Sequence, residues 1–210
     1  MSTDPRLQAI LDFVPRHLTE TATAWADGDR HDPAYRWQHS LRVSRYGKVI
    51  AEAEEADVEL VVAACLLHDV ARYSPGPTVD HGRRGAELVR PLLPTWGYTA
   101  DETEAICYAI AAHVDDPAPA TLLAKIVSDA DNIDRFGVYR VAFQLLHGGE
   151  SYSERIEAAR VRLETLRKYR QEVMMQTTTG QVIFNEKLDF QIDFLTELLR
   201  EHALSTVPEL

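Results

Sequence analysis

A histidine and an aspartate stand side by side inside an apolar run, Ala63-Ala64-Cys65-Leu66-Leu67-His68-Asp69-Val70-Ala71. An unpaired carboxylate is expensive to bury, so Asp69 needs a cation, a donor network or water. A divalent metal meets that need. The dipeptide alone is weak evidence, because eight His and sixteen Asp in 210 residues make a chance pair unsurprising. A second pair, His31-Asp32, lies between a Gly/Asp loop and Pro33, where turn formation and helix-end solvation explain it.

The first pair has company. His39 occurs in Trp37-Gln38-His39-Ser40-Leu41-Arg42-Val43, and Asp131 occurs in Lys125-Ile126-Val127-Ser128-Asp129-Ala130-Asp131-Asn132-Ile133-Asp134. A His81-x-x-x-Gly85 segment follows a Pro/Gly loop, and His113 ends the next helical run. A lone helical His, a His-Asp pair after apolar residues and a late helical Asp, in that order, resemble the HD superfamily over roughly residues 33 to 140. The C-terminal part is similar to that of small bacterial HD-domain proteins.

The resemblance implies an all-α fold, a single HD-domain helical bundle, with a divalent metal held by His39, His68, Asp69 and Asp131. Two imidazoles and two carboxylates suit Mn, Fe, Co, Ni or Zn, and Mg is compatible. Taken singly, His39 could be a satisfied core histidine and Asp131 could pair with Arg135 at i,i+4. His81 and His113 match positions that complete a second metal site in binuclear members and face substrate in mononuclear ones. Solvated helix ends are the alternative.

Arg72 lies three residues after Asp69, where helical geometry places it on the same face. Many HD phosphohydrolases have Lys at this position and one nucleotidase branch has a catalytic Glu. Arg supports phosphate contact and not that acid role. Arg42, three residues after His39, is a second candidate anion clamp. An ordinary salt bridge is the competing use of both. Lys125 and Asp129 are spaced for an intrahelical pair, Asp134 reads as helix solvation or local structure, and Tyr73 is equally suited to substrate contact or packing.

The implied activity is metal-dependent phosphohydrolysis of a small phosphate ester, with nucleotides as candidates. Asp69 would orient or deprotonate water, and Arg72 and Arg42 would neutralise phosphate charge. Two other classes share the ligand series: an HD-type di-iron oxygenase, and a ligand-binding or regulatory module without turnover. No glycine-rich phosphate loop of the Walker or dinucleotide type is present.

Helices must position these residues. Amphipathic or capped segments are expected from about Pro5 to Trp25, from Pro33, from Asp57, from His81 to Leu93, from the Thr99/Glu102 capping box to His113, and from Ala120 to Arg135. Ser74-Pro75-Gly76-Pro77 breaks the chain after the His-Asp helix. A long helix from Ser151 to Met175 carries the seam Ile156, Ala159, Leu163, Leu166 and Val173, and a last one runs through Phe184, Leu188, Leu195 and Leu198. The seam could dimerise, but packing on the chain's own core is the more ordinary use.

One domain over 1–210 is expected, with the HD core about 33–140 and C-terminal helices about 150–204 packed on it. A net charge of −11 opposes attraction to a polynucleotide backbone. Without a membrane-length apolar run or a signal-peptide pattern, a cytoplasmic location is expected. Cys65 and Cys107 sit in apolar helical runs as reduced core thiols.

Overall fold

A computed structural model describes residues 4–22, 32–74, 80–139, 141–142 and 151–205. Among these there are eight principal α-helices and no strand. No described helix is long and apolar enough to cross a membrane. The chain divides into two compact units, Met1–Asp134 and Arg135–Leu210.

In the first unit, α1 (Pro5–Ala22) buries Ile10, Val14 and Leu18, one face at four-residue spacing. The expected end near Trp25 and the His31 position fall within residues 23–31, which lie outside the described residues. Helix α2 (Pro33–Ala53) is started by Asp32, whose carboxylate accepts from Ala34 N at 2.7 Å, with Pro33 in the first turn. Asp32 thus has the helix-end role expected of it. Helix α3 (Val58–Leu67), capped by Asp57, has nearly every side chain from Val61 onward buried, as a central helix must.

Three further helices complete the cradle. Helix α4 (His81–Val89) is shorter than the expected span to Leu93. Pro91 is the reason: it lacks an N–H and its ring clashes with the carbonyl four residues back, so the chain turns into a 3-10 segment, Leu93–Trp96. The Thr99/Glu102 capping box forms as expected and opens α5 (Ala100–Asp115). Helix α6 (Leu122–Arg135) follows with Ala124, Ile126, Val127, Ala130 and Ile133 buried.

Close backbone approach sets how these helices present their polar residues. A Cβ on Gly47 of α2 would lie 2.6 Å from Cys65 Sγ on α3, so only glycine lets the His39 helix lie this near the His68 helix. A Cβ on Gly82 would lie 2.8 Å from Ile110 O and 3.0 Å from Ala111 O, so α4 rests on the backbone of α5 immediately after His81. Both cysteines are free and buried.

The second unit is built on α7 (Tyr152–Tyr169) and α8 (Thr178–Ala203). Ile156, Ala159, Leu163 and Leu166 of the expected seam are buried, in a unit that also buries Phe184, Leu188 and Leu195. Val173 departs from it: α7 ends at Tyr169 rather than near Met175, and Val173 is 86% exposed. Beyond the end, Gln181 Oε1 accepts from Met174 N and Met175 N at 2.8 and 3.0 Å, giving those donors a partner outside a helix. Phe136 packs edge-on against Phe184 with ring centroids 4.9 Å apart.

Candidate metal centre

Four helices and one turn converge on a single cluster in the first unit. Helix α2 supplies His39, the end of α3 supplies His68 and Asp69, α4 opens on His81, α5 carries His113 in its last turn, and α6 carries Asp131. His39 Nε2 lies 3.2 Å from His68 Nε2, 3.2 Å from Asp131 Oδ1 and 3.6 Å from Asp69 Oδ2. His68 Nε2 lies 3.5 Å from Asp69 Oδ2, and His81 Nε2 and His113 Nε2 lie 2.9 and 4.0 Å from Asp69 Oδ1. All six residues of the sequence-derived set therefore meet in one place. His113 is not a solvated helix end, since its side chain is 3% exposed.

Hydrogen-bond partners fix which nitrogen of each ring can bind a cation. Carboxylates and carbonyls only accept, so Nδ1–H of His39 donates to Asp134 Oδ2 at 2.7 Å, that of His68 to Cys65 O at 2.7 Å, and that of His113 to Ile110 O at 2.6 Å. Each of these rings turns Nε2 into the cluster. His39 and His68 then face each other with two lone pairs 3.2 Å apart, an arrangement that needs a shared proton or a metal ion between them and the carboxylates. His39, His68 and Asp131, and likewise His68, Asp69 and His113, offer ligand atoms within 4.8 Å of one another. The donor set fits a divalent ion.

His81 differs. A guanidinium can only donate, so Arg72 Nη1 at 3.2 Å makes His81 Nδ1 the acceptor and leaves Nε2–H to donate to Asp69 Oδ1.

Burial pushes His68 down to about 4 against the pull of Asp69, and burial also lowers His113, so both rings are neutral at neutral pH. Burial opposes the charged form of His39 too, but hydrogen bonds to Asp131 and Asp134 raise it to about 9. Burial would raise Asp69 and Asp131, yet Arg36 and the hydrogen bond from His81 hold Asp69, and His39 holds Asp131, well below the usual carboxylate range. In the metal-free protein His39 carries a proton beside these carboxylates, within a group of side chains that could hold a metal ion.

A pH dependence follows. His39 is raised above its unfolded value, so its proton stabilises the metal-free fold fully below about pH 6.5 and this contribution is lost as pH rises through about 9. Affinity for an ion taken up through His39 Nε2 is expected to run the opposite way and to climb over that window, because such an ion would displace the proton. Titration calorimetry of Co(II) at pH 7.5, in buffers of different ionisation enthalpy, is expected to report release of about one proton per ion. Zero release would contradict a metal taking His39 Nε2.

The structure corrects one sequence expectation, for Arg72, and decides between the alternatives left open for Arg42, Asp134 and Tyr73. After Leu67 the chain leaves the α-helix, with turn bonds from Val70 N to Leu67 O, Arg72 N to Asp69 O and Ser74 N to Ala71 O. Arg72 is therefore not on an α-helical face shared with Asp69; it reaches the cluster through His81. Arg42 takes the salt-bridge alternative, donating from Nε and Nη2 to Asp134 at 2.7 and 3.0 Å. Asp134 is not helix solvation, because it is buried between Arg42 and His39. Tyr73 is buried, and its hydroxyl donates to Asp32 O at 3.0 Å.

Sequence reasoning passed over Arg36. It lies one turn before His39, and its Nη1 donates to Asp69 Oδ2, with side chains only 14% and 5% exposed. Its spacing from His39 was the one available signal.

The fold and the cluster define an HD-domain protein. A family model described as HD domain matches residues 36–135, and the chain belongs to this family. It is similar to the crystal structure of a predicted HD-superfamily hydrolase from an uncultured Thermotogales bacterium, with 26% identity and a TM-score of 0.65 over 91% of this chain and 92% of that one. YpgQ of Bacillus subtilis is 25% identical over 175 residues, 79% of this chain and 83% of YpgQ. Its structure in complex with ADP matches with a TM-score of 0.63 over 94% and 96% of the two chains. Ribonuclease Y of Nitratidesulfovibrio vulgaris is 37% identical over 98 residues, 46% of this chain but 17% of that protein. The chain thus spans under a fifth of that relative's length.

Proposed function

We propose that this chain, a metal-dependent hydrolase by class, cleaves a small phosphate ester. The observation that carries the proposal is the pair of inward imidazole Nε2 atoms, 3.2 Å apart, beside two ionised carboxylates. His39, His68, Asp69 and Asp131 would hold a divalent ion, which supplies Lewis acidity toward a phosphoryl oxygen and toward water. Before an ion takes Oδ2, Arg36 on that oxygen and His81 on Oδ1 keep Asp69 ionised and fixed. So held, Asp69 accepts a hydrogen bond from the attacking water and aims it, rather than taking up its proton. Arg72, at the edge of the cluster against His81, supplies positive charge for the phosphate.

The ADP complex of YpgQ supports placing nucleotides first among the esters tried. A net charge of −11 supports a small substrate over the polymer that the name ribonuclease Y implies for that relative.

The test combines elemental analysis of purified protein with a panel of nucleotides and other phosphate esters under each candidate metal. Metal-dependent phosphate release that chelation abolishes is expected. No release from any ester by metal-replete protein would overturn the proposal. Arg72→Ala is expected to lower kcat/KM by about 100- to 1000-fold with metal content unchanged, as for loss of one charge-stabilising donor. Unchanged kinetics would remove Arg72 from the site's chemistry.

Asp69 also favours a second reading. It turns Oδ2 toward His39 and His68 and Oδ1 toward His81 and His113, as a carboxylate bridging two ions would. The di-iron oxygenase alternative depends on such a pair. The Arg72 contact at His81 Nδ1 argues for one ion, since it makes Nε2 a donor. Two ions per chain, with oxygen consumption and no phosphate release, would establish the second reading.

A further inference from the structure

We infer that Asp134 and Arg42 form a positioning pair that sets how His39 presents Nε2 to the metal. The inference rests on the metal reading above. Three rings aim Nε2 inward by donating Nδ1–H elsewhere, but their anchors differ in kind. His68 and His113 donate to the main-chain carbonyls of Cys65 and Ile110, each three residues back in its own segment. Those anchors belong to the backbone. His39 donates to a side chain on another helix, so its ring is held only as firmly as that carboxylate is held.

Arg42 supplies the firmness. Its Nε donates to Asp134 Oδ1 at 2.7 Å and its Nη2 to Oδ2 at 3.0 Å, so both oxygens are gripped by one planar fork. Oδ2 accepts from His39 and Arg42 together. Arg42 lies three residues after His39 on α2, and Asp134 lies three residues after Asp131 on α6. The pair therefore clamps α2 to α6 one turn from a candidate ligand on each. A carboxylate behind an imidazole also strengthens it as a donor to metal, and the guanidinium moderates the charge of that carboxylate. Neither backbone-anchored ring has such an adjustable partner.

The test loads the full chain with Co(II) and reads the affinity, the visible ligand-field bands and the melting temperature. Asp134→Ala is expected to weaken Co(II) binding about 10- to 100-fold and to shift the bands. Asp134→Asn, which keeps an acceptor of the same shape but loses the charge, is expected to fall between it and the wild type. Arg42→Met is expected to weaken binding less than Asp134→Ala. A variant that melts lower yet binds Co(II) with wild-type affinity and bands has lost only a structural contact, and that result overturns the inference. Should Asp134→Ala fail to fold, wild-type affinity and bands in Asp134→Asn overturn it equally. If the wild type itself takes up no Co(II), the metal reading fails first and the inference falls with it.

Discussion

Asp69→Ala is expected to lose bound metal and to reduce phosphate-ester turnover by about 1000-fold or more, the range set by removing a group that both orients water and binds the ion. The size of the effect follows from how many contacts the carboxylate makes. Oδ2 meets Arg36, His39 and His68, and Oδ1 meets His81 and His113. Alanine also leaves the Arg36 guanidinium buried without its carboxylate, so some loss of stability accompanies the loss of metal. Asp69→Asn separates the two effects, because it keeps the volume while removing the charge. Elemental analysis and turnover of the asparagine variant are the decisive measurements. Wild-type metal content in that variant would show that Asp69 is no ligand.

Arg36→Met is expected to act with opposite signs on two observables. Removing one partner of a buried ion pair costs about 3–5 kcal/mol, so the metal-free variant should unfold at a markedly lower denaturant concentration. Metal affinity should rise or hold, because the guanidinium holds Asp69 Oδ2, the oxygen beside His39 and His68 that an ion among them would draw on. An ion bound to the native state then restores much of the lost stability by mass action. Chemical denaturation with and without Co(II) reads both quantities. A variant equally destabilised in both conditions, with weakened metal binding, would make Arg36 a support of the site rather than a competitor for it.

Much of this architecture is legible locally. Asp32 with Pro33, Asp57, and the Thr99/Glu102 box are start signals whose partners lie within three residues, and the structure forms all three caps. Pro91 could have shortened the fourth helix in advance, since a proline four residues after a carbonyl disrupts the helix wherever it occurs. The end of α7 was not readable in this way. Gln181 takes the backbone donors of Met174 and Met175 from six and seven residues away, and no periodicity reports that.

The cluster itself divides along the same line. By itself the sequence determined the residue types, their order and the helices that carry them, because helix period and capping act over three or four residues. Only the tertiary structure decided what each polar group does. Asp134 looked like helix solvation because its true partner, His39, is 95 residues away. Arg42 and Arg72 were equivalent guanidiniums near ligands until one gripped a carboxylate and the other an imidazole nitrogen. A ring nitrogen becomes donor or acceptor according to the group facing it, and a charge is stabilised according to what is buried beside it. Both depend on approach between helices distant in sequence, and packing alone sets that approach.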